Sequence, residues 1–98
     1  MLNITTQTTT TLIEKEAQNG NVGNIRITNN HSGDSQVSVW ITDDTNDFYY
    51  IKNLVIPTAA GYIVEGVYFN EDVYSLKIQT HSGTTDITVQ LRYKEWNG

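Results

Sequence analysis

The sequence has no cysteine, a single proline, and only six lysine and arginine residues among its 98. Without thiols, the chain can form neither disulfides nor thiolate metal sites. A net charge of −5 with few, scattered cations argues against a nucleic-acid binder, which needs a basic stripe to contact phosphates. We therefore expect neither a cofactor nor a nucleic-acid partner.

Long hydrophobic runs are also missing. A membrane helix needs about 18 apolar residues in succession, and the sequence contains no such run. The N-terminus, M-L-N-I-T-T-Q-T-T-T-T-L-I, lacks the basic start and the unbroken apolar segment of a signal peptide. We expect a soluble protein that is made in a cytoplasm and has no membrane partner.

Hydrophobic residues instead alternate with polar ones at a period of two, the pattern of half-buried strands. Turn-type clusters of Asn, Asp, Gly and Ser separate the alternating segments. The sequence therefore predicts an all-β fold, a single antiparallel β-sandwich of about seven strands, either Ig-like or jelly-roll-like. The sandwich is expected over residues 13–98, and the threonine-rich residues 1–12 are expected to form an N-terminal arm or an edge strand. The predicted strands lie at 8–16, 25–27, 37–42, 48–56, 61–67, 74–79 and 87–93.

One phrase occurs twice in similar form, as I-R-I-T-N-N-H-S-G-D-S-Q-V-S-V at 25–39 and as L-K-I-Q-T-H-S-G-T-T-D-I-T-V at 76–89. In both copies an apolar-basic-apolar strand leads into His-Ser-Gly, and another strand follows, so we interpret each copy as a hairpin. Counting seven antiparallel strands places both His-Ser-Gly loops at one end of the sandwich, together with the loop at 57–61. The turns at 19–21, 42–47 and 70–72 are expected at the opposite end.

His31 and His81 lie in the repeated loops and are candidate binding residues. A metal site needs three or four ligands, and no cysteine or third histidine is available, so we expect none. The alternative is turn chemistry, with Gly33 and Gly83 at positive φ. Protonation of two nearby imidazoles at acidic pH could still loosen a contact made by this end.

The opposite end is predicted to be acidic, and D-D-T-N-D supplies oxygen atoms that calcium prefers. The segment lacks the glycine and the distal glutamate of an EF-hand loop, so the calcium signal is weak. A solvated turn, or a surface that attracts a basic partner, is the competing interpretation. The carboxylates concerned are Asp43, Asp44, Asp47, Glu71 and Asp72.

Trp40 is predicted to point outward, because Val37, Val39 and Ile41 occupy the inward parity of its strand. If the third, sixth and seventh strands share a sheet, Trp40 has four polar neighbours that make an aromatic and basic face. Either a loop or the N-terminal tail covers this tryptophan, or it anchors a binding face for protein or sugar. The four neighbours are Lys77, Gln79, Gln90 and Arg92.

The run F-Y-Y-I at 48–51 has apolar groups on both parities. A strand of this kind is covered on both sides or lies in a subunit interface. We therefore include Tyr49 and Tyr50 with Trp40, Lys77 and Arg92 as candidate interface residues.

Signatures of catalysis are weak throughout. Ser and His are adjacent along the chain in both repeats, whereas a nucleophile and its base must meet through the fold beside an orienting acid. The sequence contains no nucleophile elbow, phosphate loop or zinc-binding helix motif. We expect no enzymatic activity.

The phrases I-R-I-T-N-N-H-S-G-D-S-Q-V-S-V-W-I, F-Y-Y-I-K-N-L-V-I-P, G-Y-I-V and Y-S-L-K-I-Q-T carry a resemblance over residues 22–93. In these the chain resembles small β-sandwich virion proteins of tailed bacteriophages, especially phages of cyanobacteria and marine bacteria. The resemblance implies a particle component without enzymatic activity, made in the host cytoplasm and assembled in many copies. It implies no functional residues, and it leaves open a place on the head, at the neck or in the tail.

Together these observations predict a virion structural protein, specifically a capsid decoration or cement protein that contacts other virion proteins and forms a homo-oligomer. Exposed strands and a tail gain stability when they dock on neighbouring subunits. The alternatives are a neck, connector or tail component, and a module that binds host-surface carbohydrate through Trp40.

Overall fold

The computed structural model describes residues 2–13, 22–67, 69–70, 73–81 and 85–93. Its strands form two antiparallel sheets of four, with the order β1-β8-β3-β6 in the first sheet and β2-β7-β4-β5 in the second. The predicted β-sandwich is confirmed, with eight strands instead of seven because the threonine-rich N-terminus contributes two short strands. The strands are β1 (Leu2–Ile4), β2 (Thr9–Ile13), β3 (Val22–Asn29), β4 (Ser35–Thr42), β5 (Asp47–Ile56), β6 (Gly61–Glu65), β7 (Ser75–Thr80) and β8 (Ile87–Tyr93).

The strand pairing is nested. β1 pairs with β8, β2 with β7, β3 with β6 and β4 with β5. Two more pairings, β3 with β8 and β4 with β7, join these pairs side by side into sheets. Nested antiparallel pairs rolled into two four-stranded sheets are the arrangement of a jelly roll. Of the two architectures that the sequence predicts, the structure has the jelly roll.

The repeated phrase does not form hairpins, so that prediction is wrong. β3 and β4 lie in different sheets, and so do β7 and β8, which means that each His-Ser-Gly connection crosses from one sheet to the other. Residues 30–34 span roughly 16 Å when extended, which is enough to cover the ~10 Å between packed sheets. The alternation fixes which face of a strand is buried, but it does not select the partner strand.

Both crossings lie at the same end of the sandwich, as predicted. The backbone N–H of Asn30 donates to the carbonyl of Asp86 at 2.7 Å, and that of His81 donates to the carbonyl of Gln36 at 3.0 Å. The start of each crossing is thus bonded to the end of the other or to the strand that follows it. The connection between β5 and β6 joins them there, since Ala59 N–H donates to the carbonyl of Asn29 at 3.0 Å.

At the opposite end the structure describes the turn between β4 and β5, which carries Asp43, Asp44 and Asp47. The other predicted members of the acidic cluster, Glu71 and Asp72, lie outside the described residues, as does the Asn-Gly-Asn turn at 19–21.

The core consists of the inward residues of both sheets. Its members are mostly β-branched, which suits a pleated and half-buried surface. Each such side chain contributes roughly 1.5–3 kcal/mol on burial, so a one-residue slip of any central strand would expose several at once. The side chains that are at most 2% exposed include Ile13, Ile25, Ile27, Val37, Val39, Ile56, Val67, Leu76, Ile78, Ile87 and Val89. No helix in the described part of the chain is long and apolar enough to cross a membrane.

Candidate interaction surface

Trp40 lies on the outer face of the second sheet. Its cross-strand partners are Tyr49 on β5 and Lys77 on β7, while the neighbouring Val39 faces the core. The predicted outward direction of Trp40 is confirmed. Trp40 is nevertheless only 7% exposed, and the Tyr49 ring packs against it with 5.4 Å between centroids and 37° between planes. This ring contact from a neighbouring strand was not part of either predicted alternative.

Lys52 adds a cation to this face. Its Nζ lies 5.0 Å from the centre of the Tyr49 ring, within the range of a cation–π interaction. Tyr49 itself is 41% exposed, so it presents an aromatic surface that is supported by Trp40 and flanked by Lys52. Of the basic residues predicted for this face, Lys77 lies opposite Trp40, and Lys52, which was not predicted, is the described lysine placed over the Tyr49 ring.

Arg92 does not belong to this face, and its predicted neighbourhood with Trp40 is wrong. β8 lies in the first sheet, where Arg92 pairs with Asn24 and Gln90 pairs with Arg26. The prediction required the strands around Lys77 and Arg92 to share a sheet, and the crossing between β7 and β8 separates them.

Two irregularities explain the apolar residues on both parities of β5. The register with β4 shifts on either side of Val39, which leaves Tyr50 as an extra residue between the pairs of Tyr49 and Ile51. A bulge of this kind turns a side chain to the other face. Tyr50 is half-buried against the core, and this burial raises the pKa of its hydroxyl. Asn53, at the second shift, has a positive φ of 54°.

Exposed apolar side chains concentrate on β5 and β6, the adjacent end strands of the two sheets. Of the seven large apolar side chains that are exposed among the described residues, five lie on these strands. The set follows the edge where the two sheets end side by side, with Tyr49 on the outer face of the second sheet and Ile63 on the outer face of the first. We call this set the apolar edge, defined by Phe48, Tyr49, Val55, Tyr62 and Ile63.

His31 takes part in local turn contacts. Its Nδ1 accepts the N–H of Gly33 at 3.0 Å, and its carbonyl accepts a hydrogen bond from the Thr58 hydroxyl. Gly66 is the one described glycine with positive φ, so the expectation of positive φ at Gly33 is wrong. The turn closes through the imidazole and does not need a left-handed glycine. Gly83 lies outside the described residues.

His81 contacts a serine that is distant in sequence. Its Nε2 lies 2.9 Å from the Oγ of Ser38, and this Oγ accepts the backbone N–H of Asn53 at 2.8 Å. Ser38 is almost completely buried. The contact ties the irregular part of β5 to the end of β7. The sequence pattern missed it, because the two residues belong to different repeats.

Asn29 connects several loops at the end of the sandwich that carries the histidines. The sequence pattern did not identify it. Its side-chain amide donates to the carbonyls of Gly33 and Ile56, both at 2.9 Å. Its Oδ1 accepts from the backbone N–H of His31 at 2.9 Å and from the Ser35 hydroxyl at 3.2 Å. All four hydrogen-bonding positions of this fully buried amide are therefore used.

Thr80 has the matching role in the second copy of the phrase. It follows Leu76-Lys77-Ile78 at the same distance as Asn29 follows Ile25-Arg26-Ile27. The buried Thr80 hydroxyl accepts the N–H of Thr8 at 3.1 Å and donates to the carbonyl of Thr6 at 2.6 Å, which holds the connection between β1 and β2. In each copy the first strand thus ends at a residue whose buried polar side chain forms hydrogen bonds with neighbouring loops.

Asp43 caps its own turn. Its Oδ1 accepts the backbone N–H groups of Thr45 at 2.9 Å and Asn46 at 2.7 Å. These bonds lower the pKa of the Asp43 carboxyl below 3.8. Within the described ranges no group of three or more His, Cys, Asp or Glu side chains could hold a metal ion.

No family model matches the chain, and neither a curated protein nor a solved structure matches it.

Proposed function

We propose that this protein is a non-enzymatic structural component of a tailed-phage virion, and that it is a capsid decoration or cement protein. It is made in the host cytoplasm and docks on the major capsid protein through the outer face of β5. If the protein instead lies at the neck or in the tail, the outer face of β5 binds a different partner protein there.

The observation that carries the proposal is the exposed Tyr49 ring, supported from behind by Trp40. A tyrosine held by a second ring loses little side-chain entropy on binding, and tyrosines are common energetic anchors of protein interfaces. Lys52 beside the ring suits an acidic or carbonyl-rich partner surface, and the exposed Val55 extends the contact along β5.

Three further features support a role in a particle. The jelly roll is a fold of viral capsid proteins, although lectins share it, so the fold alone does not decide the function. The phrases between residues 22 and 93 resemble small virion proteins of tailed phages. A domain of this size without disulfides also gains stability when it docks on a neighbour.

The proposal is tested by sedimenting the purified protein with empty capsids of the phage. The native protein is expected to co-sediment and to saturate at a fixed stoichiometry. Tyr49→Ala should weaken binding by about 30-fold, the loss typical of an interface anchor. Leu2→Ala is the matched control, since Leu2 is a comparably exposed apolar residue on β1. Native protein that stays in the supernatant, or Tyr49→Ala that binds as the native protein does, would contradict the proposal.

A carbohydrate-binding module is the second candidate, because an exposed aromatic ring such as Tyr49 can also stack on a sugar. Trp40, the residue first expected to do so, contacts Tyr49 and is only 7% exposed, so it offers little open surface. Binding of the native protein to host cells but not to capsids would favour this candidate.

A further inference from the structure

The four strands that end the two sheets differ in how they are protected against strand addition. β1 has only three residues, and β2 shifts its register between Thr11 and Ile13. β5 shifts its register twice and carries Lys52. Short length, irregular register and lysine are the features by which natural proteins prevent an edge strand from pairing with another chain.

β6 has none of these features. It pairs with β3 in one unbroken register, from Gly61 opposite Thr28 to Glu65 opposite Asn24. It contains neither proline nor lysine, and Ile63 at its centre is 52% exposed. Among the residues that the structure describes, no strand pairs with the other side of β6, which presents a regular row of backbone N–H and C=O groups beside an apolar side chain. Such an edge is a template for another strand.

We propose that β6 pairs with β6 of a second copy of this chain. The two strands add antiparallel about a twofold axis at Ile63, and the first sheet continues across the dimer.

The sequence of β6 is self-complementary in this arrangement. Ile63 is the middle residue, so an axis through it pairs all five positions of G-Y-I-V-E. Ile63 faces itself across the axis, and Tyr62 lies opposite Val64, which gives aromatic and β-branched pairs that stabilise antiparallel sheets. Glu65 lies opposite Gly61, so the acidic side chains of the two copies do not face each other.

The pairing leaves the outer face of β5 free, because Tyr49 lies on the other sheet. The proposed dimer does not depend on the proposed role in a virion. A dimer made this way presents two copies of the β5 surface. Since each copy carries a net charge of −5, the copies repel each other, and added salt should strengthen the association.

Sedimentation velocity over a range of concentrations tests the proposal. The native protein is expected to show a monomer–dimer equilibrium that shifts toward the dimer as salt is added. Ile63→Lys should weaken dimerisation at least tenfold, because two like charges would meet on the axis. Val55→Lys is the matched control, since Val55 is also 52% exposed but lies on β5. Thermal unfolding of both variants shows whether each remains folded.

A charge pair tests the twofold axis itself. Ile63→Lys and Ile63→Glu should each be monomeric alone, and an equal mixture should dimerise, because position 63 faces itself only about this axis. Three results would overturn the proposal: a native protein that is monomeric at every concentration and salt, dimerisation lost in Val55→Lys but kept in Ile63→Lys, or a mixture that stays monomeric.

Discussion

The loops around Asn29 and the apolar edge use their side chains in opposite ways. At the loops, polar groups are buried and bonded: Asn29 fills all four of its hydrogen-bonding positions, and Ser35 Oγ lies 3.0 Å from Thr85 Oγ1. At the apolar edge, large apolar groups such as Tyr49 and Ile63 are exposed. A buried, satisfied polar network specifies the fold, whereas exposed apolar groups lower stability unless a partner covers them. From this difference we propose that the first region maintains the fold and that the second binds a partner.

The largest expected effect comes from a substitution in the loops around Asn29. Asn29→Asp keeps the shape of the side chain but places a carboxylate oxygen against the carbonyls of Gly33 and Ile56. We expect a loss of about 4 kcal/mol in the free energy of unfolding, since a buried charge meets two acceptors. Urea denaturation measures it. Asn30→Asp is the control, because Asn30 is exposed, and it should cost about 0.5 kcal/mol. Similar losses in the two variants would contradict the role of Asn29.

The second prediction separates the two rings of the interaction surface. Trp40→Ala removes a nearly buried ring and should lower the free energy of unfolding by about 3 kcal/mol. Tyr49→Ala removes an exposed ring and should lower it by about 1 kcal/mol while it abolishes most capsid binding. Chemical denaturation and co-sedimentation of the same variants make the comparison. We assign Trp40 to support of the fold and Tyr49 to binding. A larger loss of stability in Tyr49→Ala than in Trp40→Ala would contradict this assignment.

The third prediction concerns the second copy of the repeated phrase. Thr80→Val keeps the volume of the side chain and removes the hydroxyl that bonds Thr6 and Thr8. We expect a loss of about 1.5 kcal/mol in the free energy of unfolding, because backbone groups of the first connection lose their buried partner. Thr11→Val, at an exposed position of β2, should be within about 0.5 kcal/mol of the native protein. Equal stabilities of the two variants would contradict the claim that the Thr80 hydroxyl stabilises the fold.

The smallest expected effect lies at the Asp43 turn. Backbone N–H bonds hold the pKa of Asp43 below 3.8 in the folded protein, so its ionised carboxylate stabilises the turn above that pH. This contribution is lost as the pH falls through the folded pKa. The stability difference between the native protein and Asp43→Asn should therefore be present near pH 7 and shrink below about pH 4. Asp47→Asn controls for the loss of one charge, and a difference that does not change with pH would contradict the prediction.

The period-two pattern predicted the central strands, the outward direction of Trp40 and the end of the sandwich that holds both histidines. It did so because alternation and strand count are local properties of the chain. Partner choice is not local: a strand such as 87–93 fits either sheet equally well by its pattern. The position of Arg92 and the crossing of the repeats were therefore wrong.

Two other features could not be predicted, for related reasons. Asn29 stands in N-N-H-S-G, a composition typical of exposed turns, and its burial follows from the loops that close over it. Tyr50 owes its place to a register shift against β4, which depends on two strands together. The apolar residues on both faces at 48–51 were the sign of this bulge in the sequence. We interpreted them as a covered strand or an interface strand.

Amide hydrogen exchange of the protein, free and bound to empty capsids, tests the central claim most directly. We predict that binding slows exchange in β5, residues 47–56, and leaves the already protected amides of β8 and the loops around Asn29 unchanged. New protection confined to those loops, with β5 unaffected, would contradict the assignment of binding to the β5 surface.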